Sequence, residues 1–267
     1  MNTALVIFSF LFGAIIGSFL NVVIIRYNTG KSLKGRSKCV NCSKELSWHE
    51  LLPVLSYLLQ RGSCKGCKSK ISLQYPLVEL VTGILFVLVF YIFPPIDPDS
   101  SFLTTFHLFI ASLLVVISVY DIKHKIIPDQ FAYIFIALSF LSLFLSPTLN
   151  FVLPSYQAFI AGPAMALPFA LLWVVSSGQW IGFGDAKLSL GIGWILGLSM
   201  AVNAFVLSFW IAAVVSLVWM LFTYRKFKPR TEIPFGPYLV LGMYIELLLH
   251  IQIINIGLVK DLISSLF

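Results

Sequence analysis

Most of this chain consists of apolar runs about as long as a bilayer's hydrocarbon core is thick. Runs of this length read as membrane-spanning helices, because a helix satisfies every backbone polar group within its own segment. They fall at residues 3–25, 74–93, 102–120, 131–146, 155–177, 186–199, 201–223 and 236–256. The stretch from Leu188 to Thr223 is too long for one span, and the glycines of Gly193-Trp194-Ile195-Leu196-Gly197 supply a turn within it. Hydrophobic residues make up 59% of the chain and charged residues 11%, against about 25% charged in an ordinary soluble domain. The expected fold is therefore all-α: a polytopic membrane protein of about eight spans. The first run carries no Lys or Arg before residue 26 and exceeds a signal-peptide core in length, so it is expected to be a retained span.

Charge bias orients the spans. With the N-terminus outside, segments 26–73, 121–130, 178–187 and 224–235 face the cytoplasm, and they hold 17 of the 18 Lys and Arg residues. Lys260 is the exception, and the connections 94–101 and 147–154 have none. This is the positive-inside pattern. It divides the chain into a first span at 1–25, a cytoplasmic insert at 26–73 and a membrane domain at 74–267. The insert carries ten basic residues against Glu45 and Glu50, a net +8. Basic surface beside a membrane meets anionic headgroups. No base-stacking aromatic pattern accompanies the charge, which argues against a nucleic-acid partner.

All four cysteines lie in the insert, as Cys39-x2-Cys42 and Cys64-x2-Cys67 with 21 residues between the pairs. Two such knuckles read as a tetrahedral zinc site, and a cytoplasmic location disfavours disulfides. Four thiolates close the coordination sphere, so the metal is expected to be structural.

Two carboxylates stand at the cytoplasmic ends of spans. Asp121 follows the third run, and Asp185 sits in Gly182-Phe183-Gly184-Asp185-Ala186-Lys187 between two runs of hydrocarbon side chains. A carboxylate at the bilayer edge is costly unless it is paired or working. Two brought together can share a proton and activate water for peptide hydrolysis. The dipole at a helix N-terminus favours the ionised form at Asp185, and that at a C-terminus disfavours it at Asp121. Gly182 and Gly184 leave room for a substrate backbone. Lys123 and Lys187, each two residues past an aspartate, and Glu79 complete the expected substrate contacts, although both lysines also fit as ordinary flanking charges and Glu79 as an interfacial residue. Asp129 reads as a helix cap beside Pro128. Glu246 and His250 share a helix face four residues apart, as a packing or interfacial pair.

Taken together, the motifs resemble the type IV prepilin peptidases, membrane aspartyl proteases of the GxGD type. The resemblance rests on Gly17-Ser18-Phe19-Leu20-Asn21, the two cysteine pairs, Pro53-Val54-Leu55-Ser56-Tyr57, Tyr75-Pro76-Leu77-Val78-Glu79-Leu80, Asp121-Ile122-Lys123, Ile127-Pro128-Asp129, Gly182 to Leu188, and Ile233-Pro234-Phe235-Gly236-Pro237. One departure is Leu51-Leu52 before Pro53, where the family often has Asn-Ile. The resemblance implies that Asp121 and Asp185 are catalytic. It implies cleavage of a short basic leader from prepilins or pseudopilins at the cytoplasmic face of the bacterial inner membrane. It also implies N-methylation of the new N-terminus using S-adenosylmethionine, a function the family associates with the insert. A basic leader is not drawn to a +8 insert, so anionic lipid is the expected mediator.

Two other classes compete. A proton-coupled transporter would bury its carboxylates near the midplane, often in repeated halves. Here both lie at one face and no repeat is visible. A non-catalytic scaffold with a zinc knuckle would not need the glycines before Asp185. Another GxGD-type intramembrane protease is the nearest enzymatic alternative, and the cysteine insert disfavours it.

Overall fold

Each of the eight expected spans begins or ends within a few residues of a helix boundary, and the long apolar stretch after Asp185 contains its break at the expected glycines. The computed structural model describes residues 2–30, 32–145, 150–222, 233–251 and 253. Its elements are α1 (Thr3–Arg26), a 3₁₀ turn (Trp48–Glu50), α2 (Leu55–Leu59), α3 (Gln74–Ile92), α4 (Pro98–His124), α5 (Asp129–Ser142), α6 (Tyr156–Val175), α7 (Phe183–Phe222) and α8 (Gly236–Leu249). Five of these helices are long and apolar enough to cross a membrane; α5 and α8 are shorter and apolar. The protein is a polytopic membrane protein. Among the described residues there is no named strand, only isolated bridges.

Two units divide the chain, Met1–Val119 and Tyr120–Phe267. In the first, α1 packs on α3 through small residues, the usual means of close helix approach in lipid. A Cβ at Gly17 would lie 2.8 Å from Glu79 Cα. Asn21, buried in this seam, donates its Nδ2–H to the Tyr75 carbonyl at 3.1 Å.

The second unit holds the last turn of α4 and helices α5 to α8. Pro163 lies inside α6 and cannot donate to the Phe159 carbonyl four residues back. Trp194 Nε1–H of α7 donates to that carbonyl instead, at 3.0 Å, so the proline costs no unsatisfied group. A straight helix of the 40 residues of α7 would be about 60 Å long, twice the hydrocarbon thickness of about 30 Å. It does not run straight. Gly197 breaks it at φ 73°, ψ 167°, a conformation open essentially to glycine alone. The chain then returns, for Phe209 beyond the break lines the same cleft as Asp185 before it.

Three expectations need correction. The third span does not end before Asp121: α4 continues to His124, so the aspartate is a helical residue. The last helix stops at Leu249, where His250 turns left-handed (φ 45°, ψ 49°). The residues expected to carry that span to 256 are described only at 250, 251 and 253. Glu246 is fully buried and hydrogen-bonded to Asn203, so it is a packing residue, not an interfacial one.

Candidate functional site

Asp121 projects from the last turns of α4 and Asp185 from the first turn of α7, and both are buried. They line one cleft of about 560 Å³ in the second unit, with Lys125, Asp129, the segment 178–185, Phe209 and Phe235. The Gly236 N–H at the start of α8 donates to Asp121 Oδ2 at 3.0 Å. This contact needs a residue without a side chain, since a Cβ on Gly236 would lie 2.9 Å from that oxygen. Pro237 comes next, within the first turn, where its missing N–H goes unneeded.

Ile127, in the loop between α4 and α5, ties the two aspartate-bearing segments together. A Cβ on Gly184 would fall 2.7 Å from Ile127 Cβ, and one on Gly236 would fall 3.4 Å from its Cδ1. The glycines of Gly182-Phe183-Gly184-Asp185 thus differ. Gly184 is covered by Ile127, whereas Gly182 is exposed and would meet nothing closer than Asp185 Oδ2 at 3.9 Å. Lys187 Nζ pairs with Asp129 Oδ1 at 2.6 Å and lies 4.6 Å above the Tyr133 ring. Asp129 is the first residue of α5 and makes no cap. Pro128 holds the cap position, and the Asp129 carboxylate joins α5 to α7. At Asp121 the C-terminal dipole of α4 meets the Gly236 N–H, which acts the other way. The two local effects oppose each other, so the dipole alone does not assign the proton.

In the first unit the four cysteines converge. Their sulfurs all lie within 4.8 Å of one another, with Cys39 and Cys67 Sγ 3.8 Å apart. Tetrahedral zinc with bonds of about 2.3 Å sets its sulfurs about 3.8 Å apart, so the cluster is fit to hold such an ion. Each knuckle is built the same way. Cys39 N–H donates to Lys44 O and Ser43 N–H to Cys39 O; Cys64 N–H donates to Ser69 O and Lys68 N–H to Cys64 O. Ser43 (φ 57°) and Lys68 (φ 59°) make the equivalent left-handed turns. The Ser69 hydroxyl and N–H hold the Cys67 thiol down at about 6. N–H groups of Cys42 and Asn41 lower Cys39 as well, whereas Cys42, despite the Lys44 N–H, is pushed up to about 11 by the neighbouring thiols, so a metal binding all four must displace a proton there.

Comparison with known proteins identifies this arrangement. A family model described as Type IV leader peptidase family matches residues 108–217, and one described as Bacterial Peptidase A24 N-terminal domain matches residues 11–93. The prepilin leader peptidase/N-methyltransferase of Bacillus subtilis is 33% identical over 250 residues, 92% of this chain and 95% of that protein. The chain belongs to the type IV leader peptidase family. The protein of the same name from Vibrio cholerae is 30% identical over 90% of this chain and 95% of its own length. The type 4 prepilin-like proteins leader peptide-processing enzyme of Escherichia coli is 30% identical over 86% and 88%. No solved structure matches significantly.

Of the residues the sequence singled out for this leader peptidase, Asp121, Asp185, Gly182, Gly184 and Lys187 meet at the cleft. Lys123 is exposed on α4 and does not line the cleft, whereas Lys125 does, alongside Lys187. Glu79 lies in the other unit. It is buried, accepts the Val54 N–H at 2.7 Å and hydrogen-bonds Ser18. Sequence reasoning gave no role to Ile127, Phe209, Phe235 or the Gly236 N–H. The run Ile233-Pro234-Phe235-Gly236-Pro237 held part of the signal, since a Gly-Pro pair heading an apolar run marks a helix start where backbone N–H groups are free.

Proposed function

We propose that this leader peptidase cleaves the leader from prepilins or pseudopilins with Asp121 and Asp185 as a two-carboxylate catalytic pair. The observation that carries the reading is that both carboxylates, 64 residues apart in sequence, are buried along one cleft that also presents the exposed backbone of Gly182. Two carboxyl groups at such a site share protons unequally. The ionised one takes a proton from water as its oxygen attacks the scissile carbonyl. The protonated one donates to the carbonyl oxygen, and the leaving amine later takes a proton back. A substrate helix must unwind before its backbone can be reached. The exposed face of Gly182 accepts the unwound strand, and Phe209 and Phe235, 4.8 Å apart, offer an aromatic wall to an apolar side chain. Gly184 is the position where Ile127 seats the Asp185 segment. Lys187, through Asp129, braces the same loop, and Lys123 and Lys125 flank the mouth.

The enzyme resides in the bacterial inner membrane with the cleft at the cytoplasmic face, as the distribution of Lys and Arg implies. The functional division is set by the insert: a first span at 1–25, the insert at 26–73 and the proteolytic part at 74–267. The basic insert meets anionic headgroups. Its Cys39, Cys42, Cys64 and Cys67 hold structural zinc, which organises a segment too small to bury a core. Glu79 serves the insert rather than the leader, by holding Val54. The relatives' double name extends to this chain as methylation of the N-terminus that cleavage exposes. S-adenosylmethionine supplies the methyl group, and the free α-amine, with its ordinary pKa near 8, is neutral often enough to accept it.

The test is cleavage of a prepilin by the purified enzyme in lipid, with mass spectrometry of the product. Asp121→Asn and Asp185→Asn should each abolish cleavage at unchanged protein level, while Asp129→Asn, which breaks a half-exposed ion pair, should reduce it mildly. Near-parental cleavage by either of the first two would remove the pair from the mechanism. Mature pilin that is fully cut but carries no methyl group would leave a peptidase only.

A further inference from the structure

Charge in the insert is segregated. All ten of its Lys and Arg residues fall in 26–44 or 61–70, and the stretch Trp48-His49-Glu50-Leu51-Leu52-Pro53-Val54-Leu55-Ser56-Tyr57-Leu58-Leu59 between them has none. Its one acid, Glu50, is turned inward onto Lys44 and the Ser47 N–H. Its apolar side chains are turned outward. Trp48 is 77% exposed, Leu58 64% and Leu59 78%, and Leu51, Leu52 and Leu55 are exposed beside them. Six large apolar groups in twelve residues, flanked on both sides by cations, form the pattern of a segment that lies in the membrane interface.

The backbone shows the depth at which this ridge is held. Val54 adopts φ 60°, ψ −50°, a strained conformation for a β-branched residue, and the Leu55 N–H closes a tight turn onto the Pro53 carbonyl. The Val54 N–H is thereby freed from local pairing and is taken by Glu79 Oε2 at 2.7 Å. Glu79 is five residues into α3, which begins at Gln74. That is roughly 7 Å below the helix start. The turn is thus drawn down beside a helix long and apolar enough to cross a membrane, past that helix's first turn.

We propose that residues 48–59 form a membrane-dipping ridge, inserted into the anionic leaflet that the flanking lysines and arginines face, and pinned there by the Glu79–Val54 hydrogen bond. The partner is phospholipid: headgroup phosphates for the basic arms, acyl chains for Trp48 and the leucines. This rests on the reading that the insert meets anionic headgroups, and it adds penetration to contact.

The test uses full-length enzyme in vesicles and the difference in fluorescence between the parent and Trp48→Phe, which isolates one of the six tryptophans. The aromatic replacement sits at an exposed position outside the cleft, so cleavage should persist and report folding. Lipid brominated on the upper acyl chain should remove most of the Trp48 component, and aqueous iodide should remove little. Leu58→Lys with Leu59→Lys should reverse that ranking. Quenching by iodide and not by bromolipid would overturn the proposal. Protection from both quenchers would also overturn it, as it would mean that protein covers the ridge. Repeating the series in zwitterionic and in anionic vesicles separates the two readings. Bromolipid quenching that is equal in both keeps the ridge and removes the anionic contact. Emission that responds to anionic lipid without bromolipid quenching keeps the contact and removes the ridge.

Discussion

The Gly236→Ala substitution isolates one hydrogen bond from the rest of the site. Gly236 is the first residue of a helix and its backbone is in a region open to alanine, so helix formation does not suffer. The added methyl has one severe contact, Asp121 Oδ2 at 2.9 Å; its next neighbour, Ile127 Cδ1, stands at an ordinary 3.4 Å. A carboxylate oxygen and a methyl carbon settle some tenths of an ångström farther apart than 2.9 Å, so Asp121 must swing away from the Gly236 N–H that now holds it. Losing a hydrogen bond to a charged acceptor costs about 2 kcal/mol, a factor of roughly 30 if it holds the carboxylate in the reacting position. Displacement of a catalytic group by a fraction of an ångström leads to a similar figure. The assay is steady-state prepilin cleavage in lipid, with thermal unfolding measured alongside. The expected result is kcat down about 10- to 100-fold with Tm lowered by no more than several degrees, so that the enzyme is fully folded at the assay temperature. Cleavage within about twofold of the parent would refute the reasoning that this N–H positions Asp121, and so would a fall in Tm large enough to explain the lost activity.

Gly184→Ala meets a harder obstacle, Ile127 Cβ at 2.7 Å. Overpacking of this kind costs about 1–3 kcal/mol, and it should lower Tm as well as cleavage. Cys39→Ser should lose bound zinc, measured by metal analysis, and open the insert to limited proteolysis while the membrane helices resist. Glu50 gives the insert a dependence on acid. The Ser47 N–H and hydroxyl, with Lys44, hold its carboxyl down at about 2. A depressed carboxylate stabilises fully above its unfolded value of about 4.3, and that contribution fades as pH falls from there through about 2. Ser47→Ala, which removes the 2.8 Å hydroxyl bond, should move acid-induced proteolytic opening of the insert to higher pH than in the parent.

Composition and spacing made the spans, the cysteine centre and the two aspartates legible in the sequence. The spans were visible because lipid admits so few backbone solutions. The cysteine centre was visible because its ligands come in two short local pairs, and the cleft's two aspartates because charge is so conspicuous in an apolar chain. What escaped depends on contacts between distant segments. Nothing local to Gly236 says that its N–H faces a carboxylate 115 positions earlier, and nothing near Gly184 names Ile127 as the side chain that fills its face. Glu79 resembles a leader contact because a carboxylate inside a span advertises function; its partner is a backbone N–H that only an unusual turn at Val54 makes available. Hydropathy ends α4 several residues early, since Asp121 and Lys123 look like a boundary although the helix continues past them to His124.

The break at Gly197 bears on biogenesis. A nascent chain presents the insertion machinery with 40 residues from Phe183 to Phe222 that contain, after Lys187, no charge to mark where one crossing stops and the next begins. Whether that stretch enters as one crossing or two decides the parity of everything after it. As two, the polypeptide comes back to the leaflet it left, and Gly236 is delivered to the side where Asp121 waits. As one, Gly236 would instead emerge across the membrane from Asp121 and Asp185. A single backbone conformation that only glycine readily adopts thus bears on the topology of the C-terminal quarter, and a bulky residue at 197 would act first on how the enzyme is threaded, before any step of its chemistry.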